Sequence, residues 1–256
     1  MIDIDVTGEK KMGRITAITA GKGGMGKTMF AVNLASCLAM KGETTLLIDM
    51  NSGFRNLDIC LGLENQVIYD IEDIIGGICT IGKALIRDRR FPALYLLSAS
   101  QNPDKAEILP SHMERLCEKL SRKFDHIIID TPSCTGRDWE ASVASADSAV
   151  IVTTQEYVSL RDSDSLERKL IKNRVPDSCA VINRVKAGYD KSSLFPPISE
   201  MAEALRCPVA GIIQEDENIH IAMNSGVPVV CKKDSYVMRN FMNILGRLFP
   251  EEAAAE

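Results

Sequence analysis

Short runs of apolar residues recur along the chain, and each is separated from the next by a longer segment of mixed character. The runs lack the alternation of apolar and polar residues that marks a strand with one face in water. Uninterrupted runs are typical of strands covered on both faces, as in a parallel sheet. The pattern therefore predicts seven buried strands, at residues 14–20, 44–49, 94–99, 126–130, 149–154, 179–184 and 208–213.

Between these runs, apolar residues recur at helical spacing. Phe30, Leu34 and Leu38 fall four residues apart, and Gly42 follows as a stop signal. Alternation of strands and helices along the whole chain predicts an α/β fold, a doubly wound and mostly parallel sheet with helices on both faces. We expect a single domain over residues 1–256, with flexible ends at 1–12 and 250–256. The other predicted helices cover 110–123, 156–173, 197–206 and 235–249.

Composition changes this picture little. The chain is 45% hydrophobic and 25% charged, as in ordinary soluble globular proteins, and its formal net charge of −5 argues mildly against nucleic-acid binding. No stretch approaches 18 consecutive apolar residues, and the polar start lacks the apolar core of a secretory signal. The eight cysteines form no CxxC pair, so we interpret them as buried apolar residues of a cytoplasmic protein.

The stretch GKGGMGKT, residues 21–28, follows the first predicted strand and opens the first predicted helix. Gly21, Gly26, Lys27 and Thr28 match the GxxxxGK[ST] spacing of a phosphate-binding P-loop. Glycines admit phosphate oxygens where a Cβ would intrude, and the helix N-terminus adds partial positive charge. Lys27 would neutralise the β- and γ-phosphates, and the Thr28 hydroxyl would bind Mg²⁺. The motif predicts nucleotide binding and leaves hydrolysis open.

Lys22 is an additional lysine that an ordinary P-loop does not require, and on its own it reads equally well as a solvated surface residue. With Lys22 included, GKGGMGKT resembles the deviant Walker A motif KGGhGK[ST] of the MinD/ParA family of P-loop ATPases. The resemblance runs from about residue 13 to 249. It extends in order through LLIDMNSGFRNLD (46–58), VIYDIEDII (67–75), ALIRDRR (84–90), LYLLSASQNPDK (94–105) and VSLRDSD (158–164), which are similar to MinD segments.

The resemblance implies an ATP hydrolase that works as a switch and regulates placement of the division septum. In the ATP state it would be a homodimer, in which Lys22 contacts the nucleotide of the other copy as an arginine finger does in other NTPases. Lys22 and Lys27 are therefore candidate catalytic residues. The nucleotide-binding residues would be Asn183 and Arg184 at the base, together with the loop residues Gly21, Lys22, Gly23, Gly24, Met25, Gly26, Lys27, Thr28 and Met29.

Two aspartates end predicted strands, Asp49 in TTLLID and Asp130 in HIIID. A carboxylate at the carboxyl end of a strand beside a P-loop can hold Mg²⁺ through water, whereas an isolated one often forms a turn or cap. The resemblance places Asp49 near the metal and the attacking water. The expected metal site is thus Thr28, Asp49 and Asp130, with ATP and Mg²⁺ as cofactors.

Asn51 departs from the family pattern, in which an Asp at this place positions or activates the attacking water. An amide is uncharged and a poor base, although it can orient water through hydrogen bonds. With Asn51 as a candidate catalytic residue, we expect slow hydrolysis and a long-lived ATP dimer. Milder departures are DTPSCTG (130–136), where the family has a glycine-bearing switch, and Gln214, where it has proline.

Partners also follow from the resemblance. The ATP dimer would recruit a MinC-like division inhibitor through a surface that includes RDSD (161–164), and would respond to a MinE-like or other regulator. Because the last predicted helix has two arginines and an acidic tail follows it, we favour a core helix over a lipid-binding one, with peripheral association at the inner membrane face as the alternative. The rival functions are a ParA-like partition ATPase on DNA, a flagellar-placement ATPase, and, because Cys134 follows a switch, a redox protein that bridges a metal cluster.

Overall fold

A twisted sheet of eight strands runs through the computed structural model, which describes residues 12–102, 105, 107–132, 134, 136–189, 194–232 and 235–250. The strand order is β3-β4-β2-β5-β1-β6-β7-β8, and every pair is parallel except β3 with β4. The seven predicted strands are confirmed. The additional strand β3 has two residues, too few for a hydrophobic period to reveal. The strands are β1 Arg14–Thr19, β2 Thr45–Asp49, β3 Ile86–Arg87, β4 Leu94–Leu97, β5 His126–Asp130, β6 Ser148–Thr154, β7 Asp177–Val185 and β8 Val209–Gln214.

The described helices flank this sheet. The five helices predicted from apolar spacing are confirmed as α1, α5, α7, α8 and α10, and five further helices of four to eight residues lie among the described residues. Gly42 follows α1 with φ of 90°, as the predicted stop requires. The bounds are α1 Lys27–Met40, α2 Leu57–Cys60, α3 Ile71–Ile75, α4 Ile81–Ala84, α5 Pro110–Ser121, α6 Arg137–Val143, α7 Tyr157–Lys172, α8 Ile198–Ala204, α9 Glu217–Asn224 and α10 Tyr236–Leu248, with 3₁₀ turns at Glu64–Gln66 and Val229–Cys231.

Alternate residues of the central strands belong to separate apolar clusters on the two faces of the sheet. In β5, Ile128 packs with the residues of α1 and α10, whereas Ile127 and Ile129 pack with those of α5. The rings of Phe30 in α1 and Phe241 in α10 stack with centroids 5.6 Å apart. Both faces of the sheet are therefore covered, which explains why the strands are uninterrupted apolar runs.

The sheet brings distant parts of the sequence together at its carboxyl edge. Asp49 at the end of β2 pairs in register with Asp130 at the end of β5, and Thr154 of β6 pairs with Asn183 of β7. β1 lies between β5 and β6, so the segment that follows it emerges at the centre of this edge. Ligand sites of doubly wound sheets lie at this edge.

At the opposite edge, Met12 and Pro250 line one cleft together with His126 and Phe249. Residues 1–11 and 251–256, where we expect flexible ends, lie outside the described residues. The prediction of one domain over the whole chain stays a prediction.

Candidate functional site

The loop 21–26 connects β1 to the N-terminus of α1. Gly24 and Gly26 adopt φ values of 80° and 97°, in the left-handed region that favours glycine. Gly26 is the N-cap of α1, and no described side chain caps this end or places a carboxylate in its first turn. The first amides of a 14-residue helix are therefore directed towards the loop, an arrangement that binds anions.

Two close contacts fix this loop against the rest of the fold. Asn183, near the end of β7, donates a hydrogen bond from Nδ2 to the Met25 carbonyl at 2.8 Å. A Cβ on Gly26 would lie 2.3 Å from the same Asn183 Nδ2, and a Cβ on Gly21 would lie 2.5 Å from the Asp162 Cβ. The two motif glycines thus serve close packing as well as ligand access. The contact with Asp162 in α7 was not foreseen from the sequence.

Lys22 lies at the rim of the loop, where its Nζ is 3.3 Å from a carboxylate oxygen of Glu156. Both side chains are partly open to solvent, at 37% and 50% exposure. Burial alone would raise the pKa of Glu156, but hydrogen bonds from Ser159 and Lys22 hold that pKa below its ordinary value. Lys27 is half-buried as the first residue of α1. Glu156 was missed by sequence reasoning, since nothing in its surroundings signals a partner 134 residues away.

Asp130 is fully buried beneath the loop. Its Oδ2 accepts a hydrogen bond from the Thr28 hydroxyl at 2.7 Å and one from Asn51 Nδ2 at 3.2 Å, while its Oδ1 has no hydrogen-bond partner among the described residues. Burial, and then the neighbouring Asp49 carboxylate, raise the pKa of Asp130 to about 7. A buried oxygen that lacks a partner, beside a hydroxyl, fits a hard divalent cation such as Mg²⁺.

Asp49 is also fully buried, but its oxygens are already occupied. Oδ1 accepts from the backbone and side-chain amides of Asn51, both at 2.9 Å. Oδ2 accepts from the backbone amides of Asn56 at 2.9 Å and Leu57 at 3.1 Å. Four donors to one carboxylate shape the segment 49–57 around it. The sequence suggested a metal-proximal aspartate and did not predict this organising role.

Asn51 bridges the two aspartates. Its Nδ2 lies 2.9 Å from Asp49 Oδ1 and 3.2 Å from Asp130 Oδ2, so one amide donates to both carboxylates. An uncharged donor relieves the repulsion between two buried anions. The residue that departs from the family pattern is therefore at the centre of the acidic site.

Beside the loop lies a small cavity of about 120 Å³. Asn183 and Arg184, expected at the base of a nucleotide, both line it, and Arg184 has a φ of 56°. Gln214, noted in the sequence, faces it from β8, and α9 supplies a wall that sequence reasoning did not include. The remaining lining residues are Gly26, Met29, Glu215, Asp216, Ile219, His220 and Met223.

The structure thus gathers the phosphate loop, both aspartates, Asn51, Asn183 and Arg184 at one edge. Within the described ranges no three His, Cys, Asp or Glu side chains form a further cluster suited to a metal ion. Over those same ranges, no helix has the length and apolar character needed to cross a membrane. Cys134 donates its thiol to the Gly21 carbonyl at 2.8 Å.

Comparison with known proteins agrees with this geometry. Residues 13–174 match the family model described as an AAA domain. The septum site-determining protein MinD of Synechocystis sp. is 39% identical over 93% of this chain and 90% of its own length. MinD in the MinC:MinD cell division protein complex of Aquifex aeolicus superposes with a TM-score of 0.85 and 31% identity, covering 95% of this chain and 98% of that one. The Mg-ADP complex of Pyrococcus horikoshii MinD superposes with a TM-score of 0.84 and 26% identity, covering 93% and 96%. The nucleotide-binding P-loop, together with sequence identity and a fold shared over most of the chain, places the chain in the MinD family of septum site-determining ATPases.

Proposed function

We propose that the protein is an ATP-dependent dimerising switch that regulates septum placement. The observation that carries this is the position of Lys22, at the solvent-exposed rim of the phosphate loop and restrained by one exposed ion pair with Glu156. Exposed pairs of this kind stabilise by about 0.2–1 kcal/mol, so Lys22 is readily released. A triphosphate held by a second copy offers more negative charge than one carboxylate, and thereby links dimerisation to the γ-phosphate.

ATP would be held by residues 21–29 at its phosphates and by Asn183 and Arg184 at its base. Asn183 supports an adenine base, because its Nδ2 donates to the Met25 carbonyl. The bond to Met25 orients the amide, whose oxygen and second N–H stay available and match the exocyclic amino group and the neighbouring ring nitrogen of adenine.

Mg²⁺ would be held by the Thr28 hydroxyl and by Asp130, whose Oδ1 is the available buried oxygen. When bound, the ion would neutralise phosphate charge and lower the cost of burying the two aspartates. Asp49, expected as a third metal residue, would act from outside the coordination sphere by holding the segment 49–57. Thr28 would turn its hydroxyl proton away from Asp130 to present oxygen to the ion.

The ATP dimer would present α7, including Arg161 and Asp164, to a MinC-like division inhibitor. Arg161 is exposed, and Asp164 is paired with Arg168 at 2.8 Å and Arg206 at 2.7 Å. The solved complex of an Aquifex aeolicus relative with MinC supports this partner. A MinE-like or other regulator would act on the same switch.

Size-exclusion chromatography with ADP and with ATP tests the switch. We expect a monomer with ADP and a dimer with ATP and Mg²⁺, and we expect Lys22→Ala to remain monomeric with ATP because the cation in trans is lost. Lys83→Ala, which removes a lysine from α4 at a distance from the loop, should dimerise normally. The proposal fails if wild type elutes identically in both nucleotides, or if Lys22→Ala still dimerises only with ATP.

A further inference from the structure

The turn that carries Asn51 is anchored on the side away from the aspartates. Phe54 and Arg55 donate their backbone amides to the Asn51 carbonyl at 3.1 and 3.0 Å, which closes the turn. Ser52, at its apex, donates its hydroxyl to Glu72 Oε1 at 2.9 Å. Ser52 is thus hydrogen-bonded to Glu72, whereas the side chain of the preceding Asn51 is hydrogen-bonded to the two aspartates.

Glu72 lies in α3 and is 5% exposed. Its second oxygen accepts the backbone amide of Ser100 at 2.9 Å, and the Ser100 carbonyl in turn accepts the amide of Gly53 at 2.8 Å. Ser52, Gly53, Glu72 and Ser100 therefore form a closed set of hydrogen bonds between the turn, α3 and the segment after β4. The phosphate-loop chemistry uses none of these four residues.

We propose that Glu72, acting through Ser52, is a positioning residue for ATP hydrolysis, because it fixes the turn that carries Asn51. Asn51 holds its amide between Asp49 and Asp130 only while its backbone keeps this place. A displacement of about 1 Å at a reacting centre can lower a rate by about a hundredfold. The inference rests on the role of Asn51 in turnover within the ATP dimer, and each variant is therefore also checked for ATP-dependent dimerisation by size-exclusion chromatography, which Ser52→Ala should retain.

α3 has its own supports, so the contact with Ser52 is not what holds that helix in place. Asp70 and Asp73 form a reciprocal capping box at its N-terminus. Lys105 contacts both carboxylates at 2.7 Å, and the Ile71 side chain is completely buried. Removal of the Ser52 hydroxyl therefore breaks the side-chain bond between the turn and α3, lets the turn shift, and leaves α3 folded.

Single-turnover hydrolysis by Ser52→Ala tests the proposal. We expect the rate constant to fall about tenfold, while the Kd for a fluorescent ATP analogue and the melting temperature stay close to wild type. Ser52→Thr keeps the hydroxyl and should retain most of the rate. Ser121→Ala removes a buried, hydrogen-bonded hydroxyl in α5, far from the turn, and serves as the matched control.

A purely structural role would instead lower the melting temperature or weaken nucleotide binding in parallel with the rate. That result, or an unchanged rate in Ser52→Ala, overturns the proposal. Glu72→Gln supplies the second measurement, because a mutation at either end of the same hydrogen bond should give less than additive loss in the double variant. Additive losses would show that the two residues act separately. If Asn51→Ala leaves the rate unchanged while Ser52→Ala lowers it, the role of Asn51 is wrong and the turn acts through another residue.

Discussion

At the scale of single residues, Asn51 shows how one amide alters an acidic site. Its Nδ2 hydrogen-bonds to Asp49 and Asp130, and the two carboxylates are otherwise buried together. An aspartate in this place would add a third anion and remove both hydrogen bonds. The site is therefore arranged to remain folded in the absence of a cation, with a weaker base as the consequence.

Asn51→Asp should separate these two effects. We expect turnover to rise about tenfold, because a carboxylate is the better base for the attacking water. Without Mg²⁺ and nucleotide, the free energy of unfolding should fall by about 1–2 kcal/mol, because a partly buried anion replaces a donor beside two buried carboxyls. Steady-state kinetics and urea unfolding measure the two quantities, with Asn51→Ala as the variant that adds no charge. A fast wild type that the change does not improve would contradict the explanation.

Glycine at position 26 is required on two independent grounds, its φ of 97° and its contact with Asn183. Gly26→Ala should weaken ATP binding by at least about tenfold, since an added Cβ must displace Asn183 or distort the loop. Gly82 in α4 has no positive φ and nothing within 4 Å of its added Cβ, so Gly82→Ala is the matched control. Titration with a fluorescent nucleotide compares them, and equal affinities in the two variants would refute the packing argument.

Much of the phosphate site could be predicted from the sequence, because its residues lie within eight positions whose spacing is fixed by chemistry. Asp49 and Asp130 were also found, as the last residues of apolar runs. Glu156 and Glu72 could not be found, because each gains its role from a partner that only the fold brings near. The same holds for the four donors to Asp49, which are mostly backbone amides and leave no trace in side-chain identity.

At the scale of elements, strands and long helices follow from their periodicity, whereas short helices depend on local contacts. α3 has five residues, fewer than two helical turns, so no apolar stripe can mark it. Its capping box and the ion pairs to Lys105 define it instead. Burial favours the neutral carboxyl of Asp73, but the hydrogen bonds from Lys105 and Asp70 hold its pKa below the ordinary value.

Lys105→Met should therefore destabilise the fold in a pH-dependent way. We expect a loss of about 1–2 kcal/mol at pH 7, where Lys105 is bonded to both Asp70 and Asp73. Because the folded-state pKa of Asp73 is lowered, this stabilisation is fully present above the unfolded-state value of about 3.9 and is lost as the pH falls through the lower folded-state value. Urea unfolding at about pH 7 and about pH 2.5 would show it. A difference that persists undiminished at the lower pH would exclude the electrostatic origin.

At the scale of the whole molecule, the last described helix belongs to the core. α10 buries Val237, Phe241, Ile244 and Leu245, and Arg14 donates to the Leu248 carbonyl at 3.1 Å near its end. Insertion of this apolar face into lipid would uncover the packing against α1. The acidic residues of the tail that follows would in addition be repelled by anionic lipid.

Sedimentation with anionic vesicles is therefore expected to leave the ATP-bound protein in the supernatant. The physical reason is that the apolar side chains of α10 are engaged in the core. A variant with a C-terminal histidine tag and nickel-lipid vesicles provides the positive control. Pelleting that depends on ATP, without the tag, would show that a lipid-binding surface exists elsewhere on the chain.

The central position of β1 also governs the point during synthesis at which the protein can first hold nucleotide. The ribosome makes β1 and its loop early, yet their neighbours β5 and β6 emerge more than a hundred residues later. Asn183, which donates a hydrogen bond to the Met25 carbonyl, is synthesised 158 residues after Met25. At ordinary elongation rates of about 5–20 residues per second, the nascent loop waits on the order of ten seconds without its supporting framework. Nascent chains that stop short of β7 should not retain nucleotide. Nucleotide binding by ribosome-stalled chains of increasing length would measure the length at which retention begins.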